Sequence, residues 1–236
     1  MTDARAIFLF ALLACFLLSA GSPRGAQAAG SGLLQGVVGA ARFDADSLTF
    51  RLPPSESDNE EDLSSMPWVG VIGQHLFAGG STRVGVEGGV LFGWRSRDTS
   101  IAVGSNQAVI KIDSSLWLLD LSVGVCLDQR LGQRWRLYLA AGPAMLFGEH
   151  EEDQDVESGE DTADPAAAAA FEGESESEFD IGGYARGGLE YEFAPQSLIG
   201  FSVRGLATNM EFDNTVDSAK VSGVQAFITF TRDFGR

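Results

Sequence analysis

Residues 179–212 read FDIGGYARGGLEYEFAPQSLIGFSVRGLATNMEF, two strand-like runs that meet at Pro195-Gln196. In the first run Phe179, Ile181, Ala185, Leu189, Tyr191 and Phe193 alternate with Asp180, Tyr184, Arg186, Glu190 and Glu192. That is the period of two that sends successive side chains to opposite faces of a strand. In the return run Ile199, Phe201, Val203 and Ala207 share one face and Ser202, Arg204 and Thr208 the other, with Leu206 as the exception. A soluble sheet would bury the apolar face. Here the opposite face carries Arg, Glu and Gly, which suit the crowded lumen of a narrow barrel, so the apolar face is assigned to lipid.

Working outward, six more strands are expected, at 33–44, 65–77, 83–95, 109–127, 134–148 and 221–234. The third is the cleanest: Val84, Val86, Val90, Phe92 and Trp94 alternate with Arg83, Glu87, Gly89, Gly93 and Arg95. The second is apolar on both faces, which leaves its orientation open. In the fifth, Pro143 removes a ladder hydrogen bond and predicts a bulge or local break. The connections alternate long and short: 45–64, then Ala78-Gly79-Gly80-Ser81, 97–107, 128–133, 149–178, Pro195-Gln196 and 213–220. An even-stranded up-and-down barrel sorts its connections in this way, with both termini and the tight turns on one side of a membrane. Trp68, Trp94, Trp117 and Trp135 all fall near strand ends and are assigned outward. With Phe147 and Phe179 on the long-loop side, and Tyr191, Phe193 and Phe230 beside Trp135 on the other, they predict two interfacial belts.

The formal charge of −17 is localised. Residues 149–178 hold 13 acids and neither Lys nor Arg, and Glu56 to Asp62 hold 5 more, so the strands themselves are close to neutral. Loops of this sign repel nucleic acid, which is excluded as a partner. Asp153, Asp155 and Glu157 alternate, and Asp164 falls where a closing carboxylate would stand. But Gly159 is one place off the turn glycine of a helix-loop-helix calcium site and no flanking helices are evident, so a solvated acidic loop with weak divalent binding is expected. Facing the lumen, Arg83, Glu87, Arg95, Asp120, Arg136, Asp180, Arg186, Glu190 and Arg204 are expected to pair and fill it.

Upstream, Ile7 to Ala20 is apolar after Arg5 and is followed by Ala26-Gln27-Ala28, the layout of a secretory signal over residues 1–28, with the barrel domain at 29–236. The apolar run is shorter than the ~20 residues of a spanning helix. Leu12-Leu13-Ala14-Cys15 resembles a lipoprotein box, but apolar residues continue past Cys15, which is read as signal core. That leaves Cys126 alone in the mature chain, a small apolar filler with no intrachain disulfide partner.

Strand number, loop sorting and aromatic placement together resemble the small eight-stranded outer-membrane barrels of the OmpA and OmpX type, over essentially the whole mature chain. The fold expected is therefore an all-β, antiparallel up-and-down transmembrane barrel with short periplasmic turns and long acidic extracellular loops. The resemblance implies residence in the bacterial outer membrane, contact with its lipids and lipopolysaccharide, and insertion by the outer-membrane assembly machinery. In that family a terminal aromatic serves recognition, and here Phe234 is followed by Gly235-Arg236. With the last strand ending there, no peptidoglycan-binding domain is expected.

Some such barrels modify lipids, so a catalytic site is one of the readings open to the sequence. The two histidines are His75, near a short turn, and His150, with no serine nearer in sequence than Ser158. No phosphate loop or Cys-His metal spacing appears. The expectation is a monomeric, non-catalytic structural barrel without cofactor, metal or catalytic site. A small porin or ligand-passing channel is the alternative, and a lipid-modifying enzyme the third reading.

Overall fold

A computed structural model describes residues 31–44, 49–51, 60–62, 64–77, 80–103, 108–157, 175–210 and 221–235. The signal, Cys15, Gly159 and Asp164 lie outside them. Eight antiparallel strands close a barrel: β1 (Ser31–Phe43), β4 (Ser65–Leu76), β5 (Thr82–Val103), β6 (Ala108–Leu131), β7 (Trp135–Glu157), β8 (Ser175–Ala194), β9 (Ser197–Ala207) and β10 (Ser222–Asp233). Each pairs with its neighbours in sequence, and β1 closes against β10 from Leu33↔Asp233 to Phe43↔Gly223. Within the expected 45–64 loop, β2 (Thr49–Arg51) and β3 (Glu60–Asp62) form a separate two-stranded ribbon.

The alternation read from residues 179–212 holds around the wall. Phe179, Ile181, Leu189, Phe193, Ile199, Phe201 and Val203 are all exposed, while Arg186, Glu190, Ser202, Arg204 and Leu206 between them are buried. Val84, Val90, Val123, Val125, Leu139, Ile228 and Phe230 continue the apolar exterior around the other strands. A continuous exposed apolar wall around a buried polar centre inverts a soluble protein, and a membrane barrel requires that inversion.

Three expectations are corrected. Trp68 is 1% exposed and points into the barrel, 6.1 Å from the Phe43 ring. The reason lies across the ladder: its register partner is Gly93, and the indole fills the space a side chain there would need, since a Cβ would stand 2.4 Å from Trp68 Cε2. Second, β5 and β6 continue through most of the expected 97–107 connection, pairing out to Val103↔Ala108. Third, β7 runs into the acidic segment as far as Glu157, and β8 begins at Ser175. Strands of 20–24 residues are twice the roughly 9–11 needed to cross a bilayer, so the sheet stands well above the long-loop rim.

At Pro143 the β6–β7 ladder is interrupted between Ser122↔Ala144 and Val125↔Ala141 with no change of register. The missing amide costs local pairing and nothing more. The register shift falls instead at Glu192/Ala194, beside the Pro195-Gln196 turn, where Gln196 has φ of 62°.

Leu139 is 54% exposed near mid-wall, so Leu139→Arg is expected to cost about 2–4 kcal/mol of folding stability in bilayers. Urea titration of the heat-modifiable gel band in lipid vesicles measures it. A water-facing position would lose almost nothing.

Candidate functional site: the lumen

Every strand of the barrel contributes to a polar network in its centre. Arg136, on β7, is wholly buried and reaches three ways: Nε to Asp128, Nη1 to Glu190 Oε2 at 2.6 Å, and Nη2 to Gln74 Oε1. Asp128 also accepts from Arg83 Nη2 at 2.7 Å. On β8, Glu190 Oε1 accepts from Gln35 Nε2 at 2.6 Å, Thr229 Oγ1 at 2.9 Å and Thr231 Oγ1 at 2.6 Å. Arg186 donates to Glu87 and Gln35, and Gln74 Nε2 donates to Glu87 at 2.6 Å. Further up, Arg204 grips Asp120 through both nitrogens at 2.8 and 2.9 Å and donates to Gln225 at 2.7 Å.

Two tyrosines lie between the guanidiniums. Tyr138 has Arg136 and Arg186 at 4.7 and 4.8 Å from its ring centre, and Tyr184 has Arg204 at 4.6 Å while its hydroxyl donates to Glu87 at 3.0 Å. Cation–π contact and carboxylate pairing thus act on the same arginines. Four guanidiniums (Arg83, Arg136, Arg186, Arg204) meet four carboxylates (Glu87, Asp120, Asp128, Glu190). This central network is balanced, and an unbalanced one would be costly because each buried charge needs a partner to offset its lost hydration; at the short-turn end Arg130 bonds both Glu192 and Asp233.

Seven of the nine lumenal charges expected from alternation are in this network. Arg95 and Asp180 are not: they stand half-exposed at the long-loop end, where Arg95 donates to the Ser65 carbonyl and Asp180 accepts from the Asn209 amide. Alternation gave their face correctly but not their height. Asp128 was missed because it was placed in the turn, whereas β6 runs on to Leu131. Gln35 and Gln74 were missed because neutral polar residues carry no charge signal.

Toward the long-loop end the filling becomes apolar, with Phe43, Met66, Trp68, Leu116, Leu118, Leu146, Met210 and Val221 all nearly inaccessible. The outward aromatics bracket the wall as expected, except Trp68. Trp117 lies 6.2 Å from Phe92 and 5.3 Å from Phe147 on one rim, and Trp135–Tyr191 and Phe193–Phe230 pair at 5.1 and 5.8 Å on the other. Cys126 is buried on the lumenal face.

Above the Phe147 rim the barrel brings together two residues that sequence distance kept apart. Ser114 Oγ and His150 Nε2 are 2.9 Å apart across β6 and β7, a contact a search by sequence proximity could not find. Ser114 is 1% and His150 4% exposed, and burial lowers the histidine from its ordinary 6.5 to about 4. His150 is thus a buried imidazole, favoured in its neutral form, bonded to a buried hydroxyl. Asp153, Asp155 and Glu157 lie in β7, in register with Asp113, Lys111 and Val109. Among the described residues no group of His, Cys, Asp or Glu is arranged to hold a metal ion.

Comparison with known families decides the identity of this architecture. The family model for the outer membrane protein beta-barrel domain matches residues 8–229. The chain belongs to that family. It is accordingly a transmembrane barrel of the bacterial outer membrane. Among solved structures, Ail of Yersinia pestis is similar at 14% identity and a TM-score of 0.49, over 88% of this chain and 100% of that one. A major outer membrane protein of Thermus thermophilus is similar at 13% identity and a TM-score of 0.49, again over 88% and 100%. OprG of Pseudomonas aeruginosa is similar at 16% identity and a TM-score of 0.41, over 90% and 100%. No curated protein matches.

Glu190→Ala leaves Arg136 short of a buried partner and is expected to destabilise the barrel by about 3–5 kcal/mol. Replacing both Arg136 and Glu190 by Met costs less than the single change. Urea unfolding of the two variants beside the parent checks the order. Because the folded state favours neutral His150, its contribution is complete above pH 6.5 and is lost as pH falls toward about 4. His150→Gln should flatten that part of the stability–pH curve relative to the parent barrel.

Proposed function

We propose that this chain is a non-catalytic structural barrel of the outer membrane, exported by residues 1–28, whose lumen is closed to ions by its own side chains. The observation that supports this is the balanced, eight-strand network around Arg136, Arg186 and Arg204, continued upward by the apolar filling around Trp68. Eight strands leave an interior just wide enough for side chains to occupy. Opening a path through it requires separating buried ion pairs and also hydrating an apolar section, each of them unfavourable.

On this reading the short turns face the periplasm and the acidic extension of β7 faces outward. The partners are outer-membrane lipids, lipopolysaccharide and the assembly machinery, the last through the terminal segment containing Phe234. The barrel acts as a monomer, and the acidic segment binds divalent cations only weakly, as a diffuse surface property. Planar-bilayer recording is the test. No stable, reproducible open level is expected from the folded protein, and one would establish the channel reading instead. Lipid A from cells expressing the barrel should keep its mass, whereas a changed mass would turn the Ser114–His150 pair into an enzyme site.

A further inference from the structure

We propose that the short-turn rim carries a binding site for the phosphodiester headgroup of an anionic phospholipid, built by Arg134 and Arg232 beside the outward aromatic pairs Trp135–Tyr191 and Phe193–Phe230. The inference rests on the membrane orientation given above. Beyond the Arg83–Asp128 pair, three guanidiniums stand at this rim with two carboxylates among the described residues, and Arg130 bonds both, Glu192 and Asp233, each at 3.2 Å. The other two have neutral partners. Arg134 Nη1 donates to the Tyr191 hydroxyl at 2.8 Å, and the nearby carboxylate acting on it is that of Glu192. Arg232 Nη1 donates to Ser197 Oγ at 2.7 Å and the Pro195 carbonyl at 3.4 Å, and Nη2 to Gln196 Oε1 at 3.5 Å.

These contacts orient the two guanidiniums without neutralising them. Both arginines are exposed. Arg134 stands in the turn just before β7 and Arg232 on β10, across four consecutive strands and roughly 14 Å apart by strand spacing, with the aromatic shelf between them. Trp135, Phe193 and Phe230 are 45%, 52% and 53% exposed, as rings that accompany the glycerol and upper acyl region of a lipid are expected to be. A guanidinium fork matches the two free oxygens of a phosphodiester, and the unbalanced positive charge favours a headgroup with net negative charge over a zwitterion. An ammonium-bearing headgroup would bring its own cation to a rim whose carboxylates Arg130 already occupies.

The test uses the full folded chain in neutral detergent, with phosphatidylglycerol and phosphatidylcholine added in equal amounts and the retained lipid read by native mass spectrometry. The parent barrel is expected to retain phosphatidylglycerol preferentially, and each of Arg134→Gln and Arg232→Gln to lower that retention about fivefold. Arg42→Gln, an exposed position at the opposite end of β1, serves as the control and should leave retention unchanged. Heat-modifiability verifies that every variant is folded. Equal retention of the two lipids, retention unaffected by the paired Arg134/Arg232 change, or an equal loss in Arg42→Gln overturns the site. Since no arm measures conductance, these outcomes leave the closed-lumen reading untouched.

Discussion

Hydrocarbon offers a peptide group no hydrogen-bond partner, and the rest of this structure follows from meeting that constraint. The closure of β1 on β10 removes the last free edge within the wall, over eleven register pairs from Leu33↔Asp233 to Phe43↔Gly223. Once the ladder is closed, side chains have only two places to go. The exterior must be apolar because it meets lipid, and the interior must accept whatever polar residues the alternation supplies. Even Pro143, which cannot donate, is tolerated by dropping a short piece of one ladder without moving the register.

The interior then faces an electrostatic constraint. A lumen this narrow removes charges from water, and the chain meets the cost by supplying opposite charges from different strands at the same depth. Arg136 of β7 with Asp128 of β6 and Glu190 of β8, and Arg204 of β9 with Asp120 of β6, tie strands that are not all hydrogen-bonded neighbours. Such pairs contribute less net stability than their number suggests, because desolvation offsets most of the Coulombic gain. Their effect is to penalise any register that separates partners. A slip of one residue in β8 would send Arg186 and Glu190 into lipid and draw Leu189 inward.

How far the sequence reveals this arrangement depends on which physical signal each residue carries. Phe179 to Phe212 were legible because lipid and lumen impose opposite demands on alternate residues, so the period of two is strong and its phase is unambiguous. β4 was illegible in phase because Trp68, Ile72 and Leu76 fill the lumen while Val69 and Val71 meet lipid, leaving no polarity contrast to read. Trp68 was assigned outward on its position near a strand end. What placed it inside is Gly93, a cross-strand neighbour 25 positions along the chain that makes room for the indole. The charged members of the lumenal network could be named in advance, but their pairings could not, since the alternation fixes the face and not the height.

Height also explains why the strand ends were read too short. Alternation in apolarity stops where lipid stops, at Trp94, Trp117 and Phe147, but the backbone ladder has no reason to stop there. β5, β6 and β7 continue to Val103, from Ala108 and to Glu157, through segments with loop-like composition because water replaces lipid on their outer face. Polarity in a membrane barrel therefore marks the edge of the bilayer and not the end of the strand. The acids from Glu149 to Glu157 belong to this emergent sheet of β7, so among the described residues they stand beyond the Phe147 rim and not in the lipid-facing wall.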